Sequence, residues 1–323
     1  MLADCHLHFE GSLPIETVRA LGGSAGNRLG SPGVFETERD RVRDKTGFLA
    51  LYAEVCRLFR RPEDFLEAGR AVAESLHRDG LAYAEVYVSP EIYRKFGLPP
   101  GECLAAVAQA FGEEGSGRAR CRILLDGVRH WGPESAHRVL DLHEARPLRE
   151  VVGFGLGGDE TACPASEFAG VYARARALGL RTSVHAGEWG GPQSVEEALD
   201  FLRPDRLDHG VAAARDERLV ARLAEEGTVL CVALSSNRVT GAAEGGVDHP
   251  LRRLLAAGVP ATLSADDPLL FDTTTRREYR IARDELGLDD DSLRLCARNA
   301  WRGAFCSEAE RRRGEESARG LPV

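Results

Sequence analysis

The feature that most restricts how this chain can fold is an alternation. Eight short apolar runs recur along it: Ala3–His8, Leu81–Ser89, Arg120–Arg129, Val151–Gly158, Arg181–Ala186, Arg206–His209, Thr228–Ser235 and Pro260–Asp266. Some are almost unbroken, such as Ile123-Leu124-Leu125 and Val229-Leu230-Cys231-Val232. That pattern suits strands covered on both faces, as in parallel sheets. Between the runs lie amphipathic stretches with helix signals. Pro62-Glu63-Asp64 opens one to His77, and Pro133-Glu134-Ser135 opens one to Glu144. Phe168–Leu178 follows Pro164 and Ser166 and stops at Gly179, and Leu251–Ala257 starts after Pro250 and stops at Gly258. Strand and helix in eightfold alternation predict an α/β fold, a single (β/α)8 TIM-type barrel over residues 1–310 rather than two domains.

Two segments exceed a minimal barrel. Residues 14–62 form a helical insertion after the first strand, Gly/Ser/Pro-rich from Gly22 to Gly33, at the end where insertions commonly act as lids. The tail 311–323 is charged and is expected to be flexible. With 42 basic against 51 acidic residues the net charge is −9, which offers no basic face for nucleic acid. No stretch approaches the ~18–20 apolar residues of a membrane span, and Met1-Leu2-Ala3-Asp4 has no signal-peptide character. Eight cysteines without a CxxC pair fit a reduced compartment. The expectation is a cytoplasmic protein with a small-molecule substrate, no nucleic acid and no membrane; the oligomeric state leaves no mark on the sequence.

Four motifs carry chemistry. In a strand, residues two apart share a face, so His6 and His8 can reach one metal ion, although HxH alone is more often incidental. His185-Ala186-Gly187-Glu188 is either a ligand followed by an acid across a flexible glycine or an ordinary helix entry. Asp208-His209-Gly210 offers a base or a satisfied polar group, and Ser264-Ala265-Asp266-Asp267-Pro268 two functional carboxylates or a turn. Coincidence decides. All four stand at the carboxyl ends of strands one, five, six and eight, the face where barrel active sites sit. The joint reading is a mononuclear site with His6, His8, His185 and Asp266 as ligands, a donor set that suits Zn2+. Lys45 and Lys95, the two lysines of the chain, stand at no strand end where a lysine could bridge two ions, so one zinc per chain is expected. Of the other histidines, His130 is near the end of strand three and is a candidate to line the pocket. Asn237 and Thr240 read as loop turn residues.

Taken together, HLHFEGSL (6–13), GGDE (157–160), HAGE (185–188), DHG (208–210), SSNRVTGA (235–242), HPLRRLLAAGV (249–259) and DDPLLF (266–271) resemble the adenosine deaminase family of the amidohydrolase barrels. PEDF (62–65) and AEVYVSP (84–90) are weaker matches, and together the motifs span nearly the whole chain in order. The resemblance implies a zinc that lowers the pKa of a water toward about 7 for attack on C6 of a 6-aminopurine. It implies that His209 and Asp266 orient that water and take its proton, and that Glu188 is the acid that protonates ring N1. Asp267 would bond purine N7, the Gly158 N–H would meet N3, and His8 and Glu10 would face the substrate, Glu10 at the ribose 5′-hydroxyl.

Three positions depart from the usual nucleoside pattern. Glu10 stands in place of Asp, Asp208 in place of Gly, and Ala233-Leu234 in place of Cys-Pro. The first two resemble the adenine deaminase branch. TGA (240–242), GDE (158–160) and DDPLLF followed by Glu278-Tyr279-Arg280 look like the nucleoside branch. The expectation drawn from this balance is a zinc-dependent hydrolytic deaminase of adenosine, 2′-deoxyadenosine or a close derivative, giving the 6-oxopurine and ammonia. Adenine deaminase and aminodeoxyfutalosine deaminase are the alternatives within the class. Outside it stand a mononuclear metal-dependent esterase or lactonase and a non-catalytic binding barrel.

Overall fold

The structure is a computed structural model that describes residues 1–113, 115 and 117–320. The eight strands are β1 (Leu2–His8), β2 (Leu81–Val88), β3 (Arg120–Val128), β4 (Val151–Gly157), β5 (Arg181–Ala186), β6 (Arg206–His209), β7 (Val229–Val232) and β8 (Ala261–Leu263). They pair in parallel in sequence order, β1 to β8. The ring is joined just past β8, where Leu7 bridges Asp266. There the Asp266 N–H donates to the His6 carbonyl at 3.1 Å and the His8 N–H donates to the Asp266 carbonyl at 3.0 Å. This is the (β/α)8 barrel the alternation predicts. The closing seam therefore sets the metal-ligand candidates of β1 directly against Asp266.

Two strands are shorter than the sequence suggests. β7 stops at Val232 because Leu234–Val239 turns helical, and β8 stops at Leu263 because the chain bends into Asp266, whose φ is 61°. A non-glycine residue at positive φ is strained and recurs at functional sites. His209, at the end of β6, shares this conformation with φ 62°.

Towards the N-terminal ends of the strands the barrel is plugged by ions rather than by aliphatics alone. Arg206, the first residue of β6, pairs with Glu85 of β2 and donates to the carbonyls of Cys5 (2.6 Å) and Gly303 (3.0 Å), and its guanidinium lies 4.0 Å over the Phe305 ring. Glu85 also accepts from Tyr83 Oη at 2.8 Å and from the Phe305 N–H. A buried pair is tolerable when further hydrogen bonds meet its remaining donors and acceptors, as they do here save at Arg206 Nε.

The insertion carries α1 (Ile15–Ala25), α2 (Val34–Arg39) and α3 (Lys45–Cys56), and α4 (Pro62–Arg78) then returns the chain to β2. α3 lies across the carboxyl end of the barrel, with Phe48 stacked on Phe271 at 5.0 Å. The tail, expected to be flexible, is helical over most of its length. Glu308–Arg319 is a helix with a Ser307/Glu310 capping box, and Gly314 is buried so closely against Trp301 that a Cβ would sit 2.0 Å from the indole. A charged composition hides that docking, since the contact uses a glycine and an alanine. Residues 321–323 of that predicted tail lie outside the described residues. Among the described residues no helix is long and apolar enough to cross a membrane, and all eight cysteines are unpaired.

Candidate active site

The ends of β1, β5, β6 and the turn after β8 converge on one buried cluster. His185 Nε2 lies 3.0 Å from His6 Nε2 and 3.1 Å from His8 Nε2, and Asp266 Oδ1 lies 3.2 and 3.3 Å from the same two nitrogens. Donors around a tetrahedral ion with bonds of about 2.0–2.1 Å stand roughly 3.3 Å apart. His6, His185 and Asp266, all buried, thus have the spacing and chemistry of one divalent metal site; His209 lies within ligand distance of all three, whereas His8 joins the group through its contacts to His185 and Asp266. Behind them Asp208 Oδ2 is 3.6 Å from His185 Nδ1, and its Oδ1 is 3.9 Å from His6 Nδ1. Asp208 is itself held by Tyr87 Oη and by Ser183 Oγ at 2.8 Å. A carboxylate behind metal-binding imidazoles orients their rings.

Beside the cluster stand the groups for proton transfer. His209 Nε2 is 3.5 Å from Glu188 Oε2 and 3.9 Å from Asp266 Oδ2, and its Nδ1 is 3.1 Å from the Asn237 side-chain amide. Glu188 Oε1 accepts from Thr240 Oγ1 at 3.3 Å. Burial, reinforced by the charges of Asp266 and Glu160, pushes the Glu188 carboxyl well above the usual range, which favours its protonated form. Burial also pushes His209 well below the ordinary imidazole value, against the pull of Asp266. Asn237 and Thr240 are therefore parts of the site, not the turn residues the loop composition suggests. Their signal in the sequence, one polar residue on each side of a helical turn, is too common to read.

The cavity above these groups holds about 310 Å³, at the lower end of the roughly 300–1,000 Å³ of ligand pockets. Gly158, at φ 83°, lines it with His130, and a Cβ at 158 would stand 3.0 Å from His130 Nδ1. Asp267 lines it as well. Its place depends on Gly11, because a Cβ there would lie 1.8 Å from Asp267 Oδ1. Burial and the adjacent Asp266 push the Asp267 carboxyl well up. His8, Glu188, His209 and Asp266 complete the predicted set around the cavity.

Glu10 is the exception. It is fully buried, does not line the cavity, and its Oε2 accepts from Tyr52 Oη at 2.8 Å. Tyr52 of α3 lines the cavity in its stead, and Glu10, expected to face the substrate, stands behind it, bonded to the inserted helix. Conversely, Asp126 at the end of β3 lines the cavity and is missing from the predicted set. It accepts from Ser89 Oγ at 2.6 Å and from the Gly157 N–H at 2.8 Å, and burial pushes its carboxyl up to about 7. Its trace in the sequence is a single acid closing the apolar run Ile123-Leu124-Leu125, beside a strand end.

Comparison with known proteins agrees with this geometry. The family model described as adenosine deaminase matches residues 2–317. The chain belongs to the adenosine deaminase family. Its relatives in that family include the adenine deaminase of Chelativorans sp. (strain BNC1), 35% identical over 96% of this chain and 95% of that protein. The adenine deaminase of Sinorhizobium medicae is 36% identical over 96% of each. Among solved structures, adenine deaminase from Arthrobacter aurescens superposes with a TM-score of 0.93 at 30% identity, covering 98% of both chains. An amidohydrolase from Burkholderia ambifaria with bound Zn gives 0.90 at 25% identity, covering 98% of this chain and 89% of that one. Membership makes the protein a metal-dependent hydrolytic deaminase that cleaves a C–N bond.

Proposed function

We propose that this enzyme deaminates adenine, the free base, to hypoxanthine and ammonia with one zinc per chain. The observation that carries the choice of base over nucleoside is Asp126. It lines the cavity beside Gly158 and is bonded to the N–H of Gly157. If the Gly158 N–H meets N3, the next nitrogen along that edge of the purine, across C4, is N9. In adenine N9 carries a hydrogen, which a buried carboxylate accepts; in a nucleoside it carries the sugar. The withdrawal of Glu10 behind Tyr52 supports the same reading, since the carboxylate expected at the ribose is occupied elsewhere. Phe48, Leu49, Ile92 and Phe96 give one side of the cavity an apolar wall. The names of the relatives point the same way, so the nucleoside, favoured from the sequence, gives way to the base.

His6, His8, His185 and Asp266 would hold the zinc, which when bound supplies the Lewis acidity that lowers the pKa of a water toward about 7. The protein's own groups do the rest. The Asn237 amide nitrogen stands 3.1 Å from His209 Nδ1; flipping that amide sets its oxygen there instead, so that Nδ1–H donates to it and Nε2 is left free as a base. His209 Nε2 and Asp266 Oδ2 flank the approach to C6, so they orient the attacking water and take its proton. Glu188 delivers a proton to N1, which draws electrons from C6, and Asp267 anchors N7. Proton return to the exocyclic nitrogen lets ammonia leave.

Ammonia release from adenine, adenosine, 2′-deoxyadenosine and aminodeoxyfutalosine tests the assignment. Turnover of adenine alone is the expected result. Faster turnover of either nucleoside overturns the choice of base, and ester cleavage without ammonia from any purine overturns the reaction class.

A further inference from the structure

The proposed acid Glu188 sits in the loop Gly187-Glu188-Trp189-Gly190-Gly191, where Gly187 and Gly191 have φ of 72° and 74°. Three glycines in five residues make this the segment of the site with the most backbone freedom. A proton donor to one ring atom needs the opposite, since a misplacement of about 1 Å can cost a factor of about 100 in rate.

A single side chain from the neighbouring loop closes that gap. Glu160, three residues past β4 and buried, accepts from the Gly187 N–H at 2.8 Å and from Ser194 Oγ at 2.6 Å through Oε2. Its Oε1 accepts from the N–H groups of Trp189 and Gly190, the latter at 2.5 Å. The carboxylate therefore holds the backbone on both sides of Glu188 without touching the cavity, which it does not line. Among the described residues no lysine or arginine pairs with it: Lys45 goes to Asp159, at 2.9 Å. Three backbone N–H groups of one loop, with Ser194 Oγ of the following helix, account for the carboxylate as a backbone clamp, and Thr240 fixes the far end of the Glu188 side chain.

We propose that Glu160 is a positioning residue for the proton donor, fixing the Glu188 loop so that its carboxyl meets ring N1. This rests on the reading of Glu188 as the N1 acid. A clamp that acts through Glu188 matters only while Glu188 is there to be positioned, and a double-mutant cycle tests that dependence.

Glu160→Ala and the isosteric Glu160→Gln are made in the zinc-loaded enzyme and again in the Glu188→Gln background, and kcat and KM for adenine are measured with zinc content and thermal midpoint. In the wild-type background kcat is expected to fall about 100-fold for Ala and less for Gln, which keeps one acceptor oxygen. KM and zinc content should hold. In the Glu188→Gln background the same changes should lower the residual kcat by less than about threefold. Equal losses in both backgrounds would make Glu160 a general structural brace and overturn the proposal, as would full activity of either Glu160 variant. If Ala does not fold, the Gln cycle decides alone. A fully active Glu188→Gln enzyme would instead refute the acid assignment itself, a separate and recognisable failure.

Discussion

Replacing Asp126 by Asn is the sharpest test of why this site should prefer a base without its sugar. The substitution keeps shape and most of the local bonding. Asn Oδ1 can go on accepting from the Gly157 N–H, now at 2.8 Å, and Asn Nδ2 can donate to Ser89 Oγ, which at present donates to the carboxylate at 2.6 Å. What is lost is a charged acceptor for N9–H. Hydrogen bonds to charged groups contribute about 1.5–3 kcal/mol, so kcat/KM for adenine should fall about 10- to 150-fold. Turnover of 9-methyladenine, which has no N9–H, should change by less than about threefold on the same argument. The pH profile gives a second readout. Burial raises the Asp126 carboxyl to about 7, so the accepting, ionised form grows as pH rises through about 7 and is lost below it. Wild-type kcat/KM for adenine should climb more steeply across that window than that of the variant, which retains only the pH dependence of the attacking water. Steady-state rates from pH 5.5 to 9 on both purines are sufficient. A variant within threefold of wild type on adenine, or one that loses equally on both purines, refutes the argument.

Other consequences follow from the same geometry. Gly11→Ala would drive a methyl into Asp267 Oδ1, and a displacement of about 1 Å should lower kcat/KM about 100-fold with the circular dichroism spectrum unchanged. His185→Ala removes the nitrogen that lies within 3.1 Å of both His6 and His8; zinc retained after gel filtration should drop from one equivalent to near zero, and a full equivalent would contradict the ligand set. Tyr52→Phe strips Glu10 of its 2.8 Å donor. It should cost about 1–3 kcal/mol in urea unfolding without creating adenosine deamination. Glu85→Gln leaves Arg206 buried beside a neutral partner and should destabilise by about 3–5 kcal/mol while zinc-loaded kcat in the folded fraction stays near wild type.

How much of this was legible from residue order alone divides along a physical line. The barrel, its metal-ligand candidates and Glu188, His209 and Asp267 announce themselves because a parallel strand ends in a short loop. Residues adjacent in sequence, such as His6 and His8 or Asp266 and Asp267, are thus delivered together to one end of the barrel. Local order is enough there. Glu10 and Asp126 show where it fails. Whether Glu10 faces substrate depends on Tyr52, 42 residues away on α3, and whether Asp126 meets the purine depends on the neighbouring strand end at Gly157. Both are acids whose surroundings are assembled by packing between elements, and a side chain carries no record of what will pack on it. The tail beyond Ser307 is the same case with opposite sign: its charges argue for solvent, yet Gly314 against Trp301 makes it a docked helix. Sequence therefore determined the reaction class, through strand-end motifs that travel as units. Tertiary structure decided which side chains line the cavity and what braces its loops, because those depend on contacts between residues that sequence leaves far apart.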